Sequence, residues 1–281
     1  MKFANAADFR AWEFKSITLM GMSGVGKTTL AAKIPKRTWF HYSVDYRIGT
    51  KYLAEPIHDE IKRHAMRDPF LAELLRTDSI YIRSNLTVDN LTPLSTFLGK
   101  LGDPDKGGLP LEEFKRRQRL HRDAEINALH DVVEFIHKAR SIYGYQNFIN
   151  DAGGSICEID DPATLDLLNE HTLLVYIKSS PELEQTLIKR ARTHPKPLYY
   201  QASFLDEKLA LFMREYNLQT SFEVDPDDFV KWIFPHLLQH RLPRYQAIAD
   251  RYGYSIDYRA VAEIQNDDDF IELIAATIDQ Q

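Results

Sequence analysis

The chain has 281 residues, 44% hydrophobic and 27% charged, and carries a formal net charge of -6. That is an ordinary globular composition, long enough for one large domain or one and a half, and its acidic balance argues against a dedicated nucleic-acid binder without excluding a local basic groove. A single cysteine, Cys157, excludes an internal disulfide and a Cys-rich zinc site, and no apolar run reaches the length of a leader core or a membrane span, so the expected compartment is cytoplasmic.

Phe14-Lys-Ser-Ile-Thr-Leu-Met20 reads as a short buried strand, and Thr29 to Lys33 reads as helix. Between them lies Gly21-Met-Ser-Gly-Val-Gly26-Lys27-Thr28-Thr29, which fits the P-loop pattern G-x-x-x-x-G-K-[ST]. Strand, glycine loop, helix is the setting that pattern requires, because successive backbone N–H groups and the helix N-terminus must face a phosphate chain. Gly21, Ser23, Gly24, Val25, Gly26, Lys27, Thr28 and Thr29 are therefore expected to hold Mg·ATP. Lys27 would reach the β- and γ-phosphates, and the Thr28 hydroxyl would sit on Mg²⁺.

Thr38 to Asp45 reads as a second strand ending in a carboxylate. A helical stretch follows from Glu55 to Arg76, broken at Asp68-Pro69. Ser79 to Arg83 reads as a short strand. Residues 84 to 110, with Pro93, Pro104, Pro110 and several glycines, read as loop with one helical turn. Leu111 to Arg140 is helical and strongly charged. Gln146 to Asn150 reads as a strand running into Asp151-Ala-Gly-Gly154. Leu165 to Asn169 is helix, Thr172 to Ile177 a buried strand, and Pro181 to Thr193 a helix opened by proline. Thr220 to Val224 reads as the last strand, followed by helix from Pro226 to about His240. Residues 241 to 281 read as an added helical segment, with Asp267 to Asp269 as a solvated helix start.

Strands alternating with helices point to an α/β fold, a parallel sheet with helices on both faces. The P-loop kinase-like domain is expected over residues 1–240, with an insertion at about 55–110 and a lid at about 181–197. A C-terminal helical extension is expected over 241–281.

A P-loop alone does not separate kinases from other nucleotide hydrolases. No Asn-Lys-x-Asp guanine-reading motif is present: the strand ending at Ile177 runs into Lys178-Ser-Ser-Pro181. The order of the remaining elements resembles the shikimate kinase and gluconate kinase branch of P-loop small-molecule kinases. The matching stretches are Tyr42-Ser-Val-Asp45, Phe148-Ile-Asn-Asp-Ala-Gly-Gly-Ser155, Val175-Tyr-Ile-Lys-Ser-Ser-Pro-Glu182, Leu187-Ile-Lys-Arg-Ala-Arg192 and Pro195-Lys-Pro-Leu198. The resemblance covers roughly residues 14 to 240, in element order more than in identity. It implies an acceptor-facing carboxylate at Asp45, acceptor contacts at Gly153 and Gly154, lid arginines at Arg190 and Arg192, and an adenine-side element at Lys196 and Pro197.

The chain departs from that pattern in three places. Ser43 replaces the first aspartate of the usual Asp-x-Asp, which leaves Asp151 to join Thr28 in the Mg²⁺ shell. Lys196 stands where arginine is common. The stretch from Glu55 to Pro110 has no counterpart in the compact kinases and lies where they bind the acceptor, so shikimate and gluconate are not the expected substrates.

Several candidates also have a plain structural reading. Asp45 would otherwise cap the following turn, and Asp151 would be a turn aspartate. Arg190 and Arg192 lie two apart, so one regular helix points them to different faces. Arg47 is a further acceptor-side candidate. Arg116 and Arg117, in a basic cluster with Lys115, Arg119 and Arg122, would meet an anionic acceptor or form a solvated face. His121, His130 and His137 read as surface residues, and Tyr199, Tyr200 and Trp232 as packing. The sequence thus points to an ATP- and Mg²⁺-dependent phosphotransferase acting on a small-molecule or nucleotide hydroxyl. A nucleic-acid acceptor and an ATPase switch without an acceptor are the alternatives.

Overall fold

β1 (Ser16–Met20) is apolar at most positions and buried at every one, as befits a strand covered on both faces. It is the central strand of a five-stranded parallel sheet of order β2-β3-β1-β4-β5, where β2 is Trp39–Ser43, β3 Asn147–Asp151, β4 Leu173–Lys178 and β5 Gly253–Asp257. β1 pairs in parallel with β3, Ile17 opposite Ile149, and with β4, Leu19 opposite Val175. The computed structural model describes residues 1–280.

The helices in chain order are α1 (Ala6–Ala11), α2 (Lys27–Lys33), α3 (Val44–Arg47), α4 (Ala54–Ala65), α5 (Pro69–Arg76), α6 (Thr92–Leu98), α7 (Leu111–Ser141), α8 (Pro162–His171), α9 (Pro181–Thr193), α10 (Ala202–Glu215), α11 (Pro226–Tyr252), α12 (Tyr258–Glu263) and α13 (Asp267–Ile278). Several start where side-chain chemistry dictates. Asp68, Ser180 and Asp225 each accept a backbone N–H of the first turn, and proline follows each of them at a position whose N–H is not needed. No described helix is long and apolar enough to cross a membrane. The result is an α/β fold, a five-stranded parallel sheet flanked by helices, with the glycine loop joining the central strand to α2.

Five expectations differ from the structure. β2 stops at Ser43, so Asp45 lies in the first turn of α3. Ser43 caps that helix, its hydroxyl accepting the N–H of Tyr46, which leaves the Asp45 carboxylate free of a capping duty. Ser79 to Arg83 forms no strand. Thr220 to Val224 is not a strand either. Its residues Ser221–Glu223 make a short 3₁₀ turn closed by a reciprocal Thr220–Glu223 capping box, and Val224 is buried in a second cluster of apolar side chains with Phe212, Phe229 and Ile233. That cluster packs α10 and the first half of α11 apart from the sheet core.

The last strand is β5, which lies inside the stretch from 241 onward. Those residues therefore complete the sheet and are not purely a helical extension: β5 pairs with β4, Val175 opposite Tyr254. α11 also runs past His240 to Tyr252, although Pro235 and Pro243 lie within it and each removes one helical N–H donor.

Arg117 of α7 ties α4 and α6, in the stretch read as an insertion, to its own helix. Its Nε donates to Glu113 at 2.6 Å, its Nη1 to the Phe97 carbonyl of α6 at 2.6 Å, and its Nη2 lies 2.8 Å from Glu60 of α4. The guanidinium also stacks on Phe97, 4.9 Å from the ring centre. Arg117→Ala is expected to lower stability by about 2–3 kcal/mol. That is less than the loss typical of a fully buried pair, because both carboxylates are partly solvated. Chemical denaturation measures it, with faster amide exchange in α4 and α6 than in the sheet. A loss below about 0.5 kcal/mol would mean that Arg117 does not anchor α4 and α6.

Candidate active site

The P-loop has the backbone its chemistry needs. Gly21, Gly24 and Gly26 sit at φ +146°, +92° and +102°, which side-chain-bearing residues rarely adopt. Lys27 is buried, with its ammonium donating to the carbonyls of Gly21 (2.8 Å) and Met22 (3.3 Å). These contacts hold the side chain folded back along the loop.

Thr28 and Asp151 come together as expected: the Thr28 hydroxyl donates to Asp151 Oδ2 at 2.7 Å. β3 and the P-loop leave adjacent parallel strands, so their C-terminal ends share one mouth of the sheet, where open α/β folds bind ligands. A hydroxyl and a carboxylate side by side at that mouth are hard oxygen donors suited to Mg²⁺.

Asp45 lies on the other side of the same mouth. It is half-buried and lines a cleft of about 430 Å³ together with Ser23 of the P-loop, Gly154, Ser155, Lys196 and, before and along α6, Asp89, Leu91, Leu94 and Leu98. Burial raises its carboxyl to about 6, and the nearby Asp151 charge adds to the shift while Lys27 opposes it. Gly153 makes room between two carboxylates. A Cβ there would lie 2.8 Å from Glu125 Oε1 and 3.0 Å from Asp45 Oδ1.

Arg190 is exposed and lines a neighbouring cleft of about 530 Å³ with Ser23, Gly24 and Lys196; Leu187 of the same helix covers Gly24. Lys196 borders both clefts, and Pro197 lines the one at Asp45. Arg192 is exposed and lines neither cleft, as the two-residue spacing on α9 implies. Arg47 is engaged by Asp131 of α7 at 2.7 Å and stacks on Phe135. Arg116 forms a two-toothed pair with Glu113, and Arg117 ties α4 and α6 as described. These three arginines lie outside the cleft lining.

A buried set behind the cleft has no counterpart among the sequence candidates. Arg241 of α11 donates through Nε to the fully buried Glu158, through Nη1 to the Gly154 carbonyl (2.6 Å) and through Nη2 to the Tyr199 carbonyl (2.8 Å). Tyr245, one turn on, donates to the same Gly154 carbonyl at 2.8 Å and lies 3.1 Å from the Gly21 carbonyl. α11 thereby ties the glycine turn after β3 to the P-loop.

Glu125 of α7 is fully buried and accepts the Ser155 hydroxyl at 2.6 Å; burial lifts its carboxyl to about 8. His121 is not a surface residue. It is buried, stacks on Tyr199 with ring centres 5.4 Å apart, and is held down to about 4 by burial and by Arg241. His130, whose ring nitrogen lies 2.8 Å from the Thr164 hydroxyl, and His137 are both exposed, as expected. The signal for the buried pair lies in α7 itself. His121, Ala124, Glu125, Ala128 and Val132 fall on one face, and the alanines mark that face as covered.

With the geometry in hand, the chain can be set beside known proteins. No protein-family model and no curated protein sequence matches it. Among solved structures it is similar to a shikimate kinase from Bacteroides thetaiotaomicron, at 17% identity over 95% of each chain with a TM-score of 0.39. So loose a likeness carries no argument about the site.

Proposed function

We propose that the protein is an ATP-dependent phosphotransferase that moves the γ-phosphoryl group to a hydroxyl of a small acceptor. The observation that carries this reading is the position of Asp45. Its carboxylate opens into a cleft that shares Ser23 with the P-loop, so a hydroxyl bound there lies beside the nucleotide's terminal phosphate.

In the proposed step the acceptor oxygen bonds to the γ-phosphorus as the bond from that phosphorus to the β–γ bridging oxygen breaks. ADP leaves with the electron pair, and the acceptor proton passes to Asp45. A carboxyl held near 6 is unprotonated at neutral pH, yet a better base than a solvated aspartate. Lys27 and Arg190 neutralise the phosphates, and the rest is positioning. Mg²⁺ bound between Thr28, Asp151 and the nucleotide would screen the phosphate charge.

A nucleic-acid acceptor has less support, because Arg116 and Arg117 are matched by Glu113 and Glu60. An ATPase switch needs no second cleft. The test is ATP consumption with and without added hydroxyl compounds. Turnover should rise at least about tenfold with an acceptor, and turnover indifferent to every acceptor would contradict the proposal. The same assay should favour ATP over GTP, since no guanine-reading motif follows β4 and Lys196 to Leu198 border the P-loop clefts. Tighter GTP than ATP binding by calorimetry would overturn the nucleotide assignment.

A further inference from the structure

The cleft at Asp45 is lined on the insertion side by Leu91, Leu94 and Leu98, at i, i+3 and i+7 along α6 and the residue that precedes it. That spacing lays one apolar ridge along the cleft. On the α7 side it is lined by His121, whose Nδ1 is buried with no hydrogen-bond partner; the nearest carboxylate oxygen, on Glu125, is 4.0 Å away. Buried ring nitrogens are normally satisfied, so this one marks where a ligand group or a bridging water belongs.

The cationic group in the deep part of the cleft is Arg241, and it is not available to an anion. Its charge is matched by the fully buried Glu158, and each of its nitrogens is directed at a protein oxygen. Lys196 is exposed and shared with the nucleotide side. Asp89 adds a second carboxylate to the lining. A carboxylate or phosphate carried into the deep end of the cleft would therefore lie next to Asp45 with only the exposed Lys196 to match it, which is unfavourable, and an ammonium would pair with Asp45 and weaken it as a base.

Resting on the kinase reading above, we infer that the acceptor is an uncharged hydroxyl compound with an apolar body. Its reacting hydroxyl meets Asp45, a second hydrogen-bonding group reaches the His121 side, and its apolar portion lies on Leu91, Leu94 and Leu98.

The test uses a small-molecule extract of the native cells, divided into an anion-exchange-bound fraction, a cation-exchange-bound fraction and one that passes both resins. Each is incubated with the full-length protein, Mg²⁺ and γ-labelled ATP. The label is expected in an organic phosphate ester formed from the fraction that passes both resins, from an acceptor that reversed-phase resin retains. Ester formed only from either bound fraction would overturn the inference and leave the kinase reading standing. Label released only as inorganic phosphate with every fraction would overturn the kinase reading, and the inference with it.

Leu91→Asp then tests the apolar ridge. Leu91 is half-buried at the start of α6, and Leu91→Asn serves the same purpose if the aspartate variant does not fold. The KM for the acceptor should rise about tenfold or more, with the KM for ATP unchanged. An unchanged acceptor KM in a folded variant would remove α6 from the site.

Discussion

Lys27→Ala should abolish nucleotide turnover, by at least about a hundredfold, while the protein stays folded. The lysine's hydrogen bonds are with the carbonyls of Gly21 and Met22, so its loss removes two hydrogen bonds. Such bonds contribute about 1 kcal/mol each, which corresponds to a few degrees of melting temperature in a chain of this size. On the proposed reading the same ammonium would face phosphate charge in the transition state, where its effect is several times larger. ATP turnover and thermal melting, measured side by side, separate the two effects. Turnover within twofold of the unaltered protein would remove the P-loop assignment. A collapse of the melting transition would mean that Lys27 also holds the loop together.

The second large effect divides the two carboxylates at the mouth of the sheet. Asp151 bonds Thr28, on the side proposed for the metal, whereas Asp45 opens into the cleft proposed for the acceptor. Asp151→Asn should therefore raise the Mg²⁺ concentration needed for half-maximal turnover. Asp45→Asn should lower transfer about a hundredfold, with nucleotide affinity nearly unchanged. Titrating Mg²⁺ and ATP with both variants checks the assignment. If Asp45→Asn shifts the Mg²⁺ requirement and Asp151→Asn does not, the roles are reversed.

Local signals carried the sequence reading a long way. The P-loop, the strands around Leu19, Ile149 and Val175, and helix starts such as Asp68-Pro69 and Ser180-Pro181 are all decided within a few residues, and the structure has them there. The fifth strand was not legible. Gly253-Tyr-Ser-Ile-Asp257 follows α11 directly, Gly253 being at once the helix C-cap and the first strand residue, and its strand character comes from the open edge of β4. Thr220 to Val224 has strand-like residues but no edge to join. Its valine is buried in the cluster under α10 instead.

The deep part of the site was hidden for a related reason. Arg241, Glu158 and Glu125 are charged residues in helical or turn segments, where charge normally means solvent. Only the folded chain brings Arg241 and Glu158, 83 positions apart, into one buried pair. The arginine cluster on α7 left two readings open in sequence, an anionic acceptor or a solvated face. Glu113 lies three and four positions before Arg116 and Arg117 and pairs with both.

The central claim is transfer to a hydroxyl, not hydrolysis, and the source of the new oxygen on phosphorus tests it most directly. The full-length protein turns over ATP in ¹⁸O-enriched water with the uncharged fraction of the native-cell extract, and the products are examined by ³¹P NMR and mass spectrometry. The account predicts a phosphate ester without ¹⁸O, formed in step with ADP. Inorganic phosphate carrying one ¹⁸O atom, formed in step with ADP and with no ester, would contradict it.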